Sequence, residues 1–524
     1  MTAAAAEGSP SRLSLRSRLA SLAREERARA AWLLSDSAGG AFAWFLAGPS
    51  TRRRAVFLGA PGAGAVDGLL RFASGAAVTS DPAAADLARS LFLEAGRGSF
   101  RVIAPEGPRV PLPDACADAV IVGPGAPALG VDVAGETRRL LAEGGVLVAE
   151  AERRALLAPF CAPPRDDPGR VKLAQLPRGL RTLPLEPGRR GPIAIRGLGP
   201  RARAPRGRLF RETLLSRLPL ARLVVATDAR RTPVDAIAER YPPSSPALEI
   251  TPTGLLAWFA PGVRVEVPLT RAASARARRS AERLAAIASR EGTLGPAAAL
   301  APRLVVRGDE AGVEFFAESL RPGVTLESLA NRDLSAARAI DLLADLHRRT
   351  ARPVALSREE IERRVRRPVL DLLGFAAAEE GVRKLARLLA RRLEGRTIAL
   401  VLAHGDFGPQ NVLVGGVDGD VTGILDWDLA DDEGVPFADA AHLAARLAGL
   451  PLDRWREAGH ALVERYVAAF PVEEDLRDAF VALLFVRARR AHLDGDRPYD
   501  PEWVRVEFAE PVARLVTNLE ASSR

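Results

Sequence analysis

The chain has 524 residues, too many for one ordinary hydrophobic core, so two or three domains are expected. Apolar residues make up 48% and charged residues 27%, and no apolar run reaches the length of a membrane span, which excludes a membrane-spanning helix. Net charge is +9, and 19 Lys/Arg against 6 Asp/Glu fall in residues 151–231, leaving the rest of the chain slightly acidic.

Residues 12–34 read as a helix with Leu15, Leu19, Leu22 and Ala28 on one stripe. The N-terminus lacks the apolar stretch of a secretory signal, and the only cysteines, Cys116 and Cys161, have no metal-ligand spacing. A cytoplasmic location is therefore expected. Next, "AVFLGAPGAG" gives a short apolar run, a Gly-rich turn and the start of a helix, and a second strand ends at Asp81. Further strands are expected at 101–104, 118–122 and 145–149, with helical stretches between them, and a closing strand lies within 220–231. Strands alternating with helices predict a doubly wound, Rossmann-like α/β domain over residues 1–235.

Residues 151–210 form a basic, Pro/Gly-rich segment inside this domain. Phe210 is the only aromatic between Phe160 and Tyr241, so the bases of a nucleic acid would find almost nothing to stack on. The composition fits a solvated connection rather than a nucleic-acid surface. The basic residues are nearly all arginine, because Lys172 and Lys384 are the only lysines.

From about residue 240 the pattern changes. "ALEITPTGLLAWFAPGVRVEVPLT" predicts three consecutive strands with turns at Gly254 and Gly262, followed by a helix at 271–290 and strands at 303–307 and 313–318. Beyond residue 333 the chain reads as mainly helical, broken by strand-like 398–403, 411–414 and 421–425. This predicts an α+β domain over 236–524, with a small lobe (240–322) and a large lobe (323–524).

The polar loop in that large lobe carries the chemistry. In "VLAHGDFGPQNVLV" His404, Gly405 and Asp406 are followed by four residues and Asn411, and "GILDWD" then places Asp426 and Asp428 just after a strand. The spacing is that of the protein-kinase catalytic loop, in which an Asp orients the acceptor hydroxyl and an Asn ligates Mg²⁺. Phosphoryl transfer asks little covalent chemistry of a protein. It needs hard oxygen ligands for Mg²⁺ and one oriented carboxylate.

"HGDFGPQNVLV … GILDWDLA … PFADAAHLA" resembles the aminoglycoside phosphotransferase and choline kinase family, protein-kinase relatives that phosphorylate small molecules. The resemblance covers roughly 240–524. It implies Asp406 as catalytic base, Asn411 and Asp426 as Mg²⁺ ligands, Asp428 near the acceptor or structural, and His404 as a brace for the loop. Asp439 fits a supporting acid. "FFAESLRPGV" resembles the hinge between lobes, where backbone near Glu318 and Leu320 would meet the adenine of ATP. His347, in "AIDLLADLHRRT", reads as a packing residue.

Departures from that family matter equally. No lysine occurs between 240 and 330, so the strand lysine that holds phosphates is absent, and its place falls on Glu266. Alternation puts Arg264 and Glu266 on one strand face, so Arg264 is a candidate phosphate ligand with Glu282 as its helix partner. An exposed strand edge is the competing reading. No G-x-G-x-x-G loop is present.

"VPLPDACADAVIVGPG … ETRRLLAEGGVLVAEA" resembles the later strands of class I S-adenosylmethionine-dependent methyltransferases, over roughly 40–231. Leu58 and Ala60 replace the expected acid and first glycine, leaving Asp81, and Glu106 beside it, as cofactor candidates. A degenerate domain that does not use S-adenosylmethionine is expected. The sequence thus predicts an ATP- and Mg²⁺-dependent phosphotransferase acting on a small hydroxylated acceptor. Two alternatives stay open, a pseudokinase scaffold and a bifunctional methyltransferase–kinase.

Overall fold

The computed structural model describes residues 53–522, apart from 124, 153–170, 173–180, 187–192, 197–221, 227–232, 246, 252–253, 270, 311, 376–377, 417–418 and 494–503. The helix expected at 12–34, Cys161 and most of the basic segment lie outside the described residues. Two compact units emerge: Met1–Ala275 with Val306–Ala317, and Arg276–Val305 with Glu318–Arg524. No described helix is long and apolar enough to cross a membrane.

The first unit is built on one long sheet. Strands β1 (Arg54–Leu58), β2 (Ser74–Val78), β3 (Phe100–Ile103), β4 (Ala117–Val122) and β5 (Leu141–Glu152) pair in parallel in the order 3-2-1-4-5. Near-continuous apolar runs such as "AVFL" and "AVIV" suit strands covered on both faces, and both runs are buried. This is the central-strand order expected of a doubly wound unit. The sheet then departs from it: the short β6 (Val171–Lys172) pairs parallel with the end of β5, β9 (Arg222–Ala226) runs antiparallel to β5, and β7 (Arg181–Glu186) and β8 (Ile193–Arg196) follow.

Beyond β8 the same sheet continues into the strands expected to form a small kinase lobe. β10 (Ala247–Ile250) pairs antiparallel with β8, Ala247 opposite Arg196, and β11 (Leu255–Ala260), β12 (Val263–Pro268), β14 (Val313–Ser319) and β13 (Leu304–Glu310) complete the order. The boundary drawn at 235/236 from sequence therefore falls within one sheet. Phe57, Phe72 and Phe92 share an apolar cluster with Trp258, Val265 and Phe315.

After β1, Gly59 at φ 129° allows the turn into the short helix Ala63–Leu69. Asp81 caps the next helix, Pro82–Glu94: its Oδ1 accepts from the amides of Ala83 (3.0 Å) and Ala84 (3.3 Å). Glu106 makes a backbone bridge to Arg109.

The second unit is largely helical. In helix Glu379–Leu393, Val382, Leu385, Ala386, Leu389, Ala390 and Leu393 are buried, an i, i+3, i+4, i+7 stripe facing the core. The same core holds Phe407, Trp427, Phe437, Tyr466 and Phe480. Two three-stranded sheets sit among the helices: β15 (Val324–Thr325), β18 (Val412–Gly415) and β19 (Asp420–Ile424) form one, and β16 (Arg352–Ala355), β17 (Thr397–Ala403) and β20 (Asp431–Gly434) the other. The polar loop at 404–411 joins β17 to β18 and so links the two sheets.

Removing the Asp81 cap exposes this local energetics to measurement. Asp81→Ala should lower unfolding stability by about 1 kcal/mol, the usual cost of losing an N-cap, and Asp81→Asn by clearly less, as read by urea denaturation.

Candidate active site

Named partners fix the start of the loop. The Asp439 carboxylate, buried in the first turn of helix Ala438–Leu447, accepts from the amides of His404 (2.7 Å) and Gly405 (3.0 Å). Gly405 takes φ +88°, and a Cβ there would stand 2.3 Å from the carbonyl oxygen of Leu429, so no side chain fits. His404 is fully buried against Trp427 and Phe407. Its Nε2 donates to the Leu425 carbonyl (2.8 Å), and its Nδ1 accepts from the Asp406 amide (3.3 Å). Burial holds its pKa below the ordinary histidine range, so the imidazole is a neutral brace with both nitrogens occupied.

The loop then presents Asp406 beside Asn411. The Asn411 amide nitrogen donates to the Asp406 backbone oxygen (2.9 Å) and to Oδ2 (3.0 Å), turning the amide oxygen away from that contact. Asp406 is pushed up to about 6, first by burial and further by the Asp428 and Asp439 carboxylates, against the Asn411 hydrogen bond and the Arg446 charge. Such a pKa suits a proton acceptor working near neutrality.

After β19 the backbone turns sharply. Asp426 is exposed and adopts the left-handed region (φ 59°, ψ 62°), a sparsely used conformation that aspartate tolerates better than most residues. Asp428 has an 8% exposed side chain and pairs with Arg276 at 2.5 Å. Burial and then the Asp426 charge push Asp428 up to about 6, while Arg276 opposes them. Asp426 and Asp428 are thus two crowded carboxylates on one turn, hard oxygen donors of the kind a divalent cation takes, although among the described residues no group of three or more His, Cys, Asp or Glu is placed to hold a metal ion.

The segment that follows is anchored by arginines. Asp431 pairs with Arg487 (2.6 Å), Asp432 with Arg290 (2.6 Å), and Glu433 with Arg352 (2.7 Å), Arg363 (3.3 Å) and Arg364 (2.8 Å). Hydrogen bonds from Arg364 and then Arg352 hold Glu433 at about 2. At its end Phe437 sits at φ 74°, and its amide donates to the Tyr466 hydroxyl (3.1 Å), which meets His347 Nδ1 at 2.5 Å. Burial depresses His347 to about 4.

The structure thus brings His404, Asp406, Asn411, Asp426, Asp428 and Asp439 together. Glu318 ends β14 and Leu320, 40% exposed, follows it. Arg264 pairs with Glu266 (3.0 Å) on β12, whose alternation puts the two on one face. Glu282 is exposed and belongs to the second unit, whereas Arg264 belongs to the first. Sequence reasoning missed two residues. Arg276 is one of five arginines in "RAASARARRSAER", and nothing in the sequence singles it out. His442 stands three residues after Asp439 on one helix face, with Nδ1 3.8 Å from Asp406 Oδ1; that spacing was the available signal.

Residues 263–480 match the APH phosphotransferase enzyme family. Solved structures similar to the chain include aminoglycoside-3'-phosphotransferase of type VIII, at 22% identity over 48% of this chain and 96% of that one, TM-score 0.33. Another is the aminoglycoside phosphotransferase APH(3'')-Id of Streptomyces rimosus in complex with ADP and streptomycin, at 19% identity, 47% and 92% coverage, TM-score 0.31. A choline/ethanolamine kinase family protein of Mesorhizobium loti matches at 18% identity, 50% and 90% coverage, TM-score 0.31. No curated protein matches the chain in sequence.

Asp439→Ala leaves two buried amides without an acceptor and should cost about 2–4 kcal/mol in chemical denaturation. A second prediction concerns pH. His347 has a folded pKa of about 4, below its unfolded value, so its contribution is complete above about pH 6.5 and is lost as pH falls toward 4. Asp406 and Asp428, raised to about 6, act with the opposite sign in an overlapping window. His347→Phe isolates the first effect: between pH 7 and 4.5 the variant's unfolding free energy should fall less, or rise more, than that of wild type.

Proposed function

We propose that the chain transfers the γ-phosphoryl group of ATP to a hydroxyl of a small molecule, with Asp406 as base and Asn411 and Asp426 as metal ligands. The observation that carries this reading is the hydrogen-bonded Asp406–Asn411 pair, with Asp426 and Asp428 beside it, inside the segment that matches the phosphotransferase family. Asp406 Oδ2 is engaged by Asn411, so Oδ1 is the atom that takes the acceptor's hydroxyl proton as that oxygen bonds to the γ-phosphorus and the bond from phosphorus to the β,γ-bridging oxygen breaks, releasing ADP. Asn411 restrains rotation of the carboxylate. Asn411 and Asp426 would hold Mg²⁺, whose charge would neutralise phosphate oxygens. Asp439 and His404 keep the loop in place without touching the reactants. The bound small molecule belongs to the class that the related aminoglycoside and choline/ethanolamine kinases suggest by name, a hydroxylated amine or sugar.

A second reading, a pseudokinase scaffold, draws on one specific feature. No lysine lies between 240 and 330, and the Arg264 guanidinium offered in its stead already pairs with Glu266. Calorimetry with ATP, with and without Mg²⁺, separates the two readings without knowledge of the acceptor. The kinase reading expects Mg²⁺-dependent binding that Asp426→Ala abolishes while the fold persists. Asp406→Asn should bind ATP as wild type does and lose transfer by about 10³-fold, since base and orientation vanish together. Equal turnover in wild type and Asp406→Asn would remove Asp406 from its role. Absence of any nucleotide binding by wild type would decide for the scaffold.

A further inference from the structure

We infer that His442 is a positioning residue for Asp406, its Nδ1 placed to hold Oδ1 of the carboxylate while Asn411 holds Oδ2. This rests on Asp406 being the base, and it assigns a new residue to that site. His442 Nδ1 lies 3.8 Å from Asp406 Oδ1, beyond hydrogen-bond distance, and the His442 side chain is only 14% exposed. Nδ1 itself is buried with no hydrogen-bond partner. An orphaned buried nitrogen is ordinarily costly, so its retention asks for a use.

The neighbouring imidazoles cannot serve. His404 has both nitrogens engaged, and His347 Nδ1 meets the Tyr466 hydroxyl. His442 is the one imidazole among them with Nδ1 directed at the reactive carboxylate and unspent. Its backbone is also well referenced. Asp439, which pins the loop through the His404 and Gly405 amides, stands three residues earlier on the same helix. Loop and imidazole are therefore held by one rigid element, the condition for keeping a pair of groups in register. Burial keeps His442 neutral, near pKa 4, so an Nδ1–H donor adds no charge that would quench the base. Closing the gap to a normal N–H···O distance takes a shift of about 1 Å. With both oxygens tethered, the carboxylate plane stops rotating and the proton-accepting lone pair keeps one direction.

The test uses the full chain, Mg·ATP, and water as the acceptor. His442→Phe keeps the ring volume and removes the donor, whereas His442→Asn restores an N–H near the Nδ1 position. Expected for His442→Phe are a kcat for hydrolysis about 10²-fold below wild type, an ATP KM and calorimetric Kd within twofold, and a Tm within a few degrees. His442→Asn should recover most of kcat, and His442→Phe should add no further loss in an Asp406→Asn background. A folded His442→Phe variant with wild-type kcat overturns the inference, as does equal loss in His442→Asn and His442→Phe. Should His442→Phe fail to fold, His442→Asn decides alone: a kcat 10-fold or more below wild type overturns it. Where wild type binds Mg·ATP but hydrolyses none, imidazole NMR replaces turnover. An exchange-protected Nδ1–H of His442 that Asp406→Asn abolishes is then expected, and its absence overturns the assignment. Wild type that binds no ATP at all overturns the kinase reading instead, and this inference with it.

Discussion

Two hydrogen bonds to one buried carboxylate hold the site together. Asp439 accepts the His404 and Gly405 amides at the point where β17 ends and the chain crosses to the other small sheet. A buried carboxylate is tolerated only when its lone pairs are filled, and buried amides only when they have an acceptor, so each side of this contact satisfies the other. Because Asp439 lies in the first turn of a helix, the loop inherits the position of that helix. Gly405 completes the arrangement, since the Leu429 carbonyl occupies the place a side chain would take.

Electrostatic crowding is the second organising feature. Asp406 and Asp428 are both raised by burial and by neighbouring acids, and Arg276 is the cation that reaches Asp428. The acidic run that follows is held by arginines from two helices, one strand and one turn, between two residues with positive φ, Asp426 and Phe437. Strained backbone persists where surrounding contacts over-determine it, and here ion pairs and the Phe437 amide bond to Tyr466 do so. Arginine suits the task better than lysine, because its fork can engage a carboxylate bidentately.

Much of this was legible because it is local. The five-residue separation of Asp406 and Asn411 is a loop length, and the polar loop between two apolar runs can be read directly. Strand and helix positions in the second half followed from alternation and from turn glycines at 254 and 262. What escaped was tertiary. His442 meets Asp406 only because a helix 35 residues beyond the loop's start packs against it, as Asp439 and His404 show. Arg276 is one arginine among many until the fold selects it. Arg264 turned to its strand neighbour Glu266, a contact that alternation permits but does not dictate. The continuity of the sheet across residue 235 was also out of reach: a switch from α/β to β-rich pattern marks a change of local structure and says nothing of which strands pair.

That sheet has a practical side. β10 receives its ladder partners from β8 on one edge and β11 on the other, four residues of β10 facing four of β8. A fragment cut at 235/236 to isolate the second half would strip β8 away and leave the β10 edge bare, with Leu248 beside it. Unpaired strand edges recruit other chains. The aggregation of such a fragment would report the lost edge partner rather than any defect in the catalytic loop.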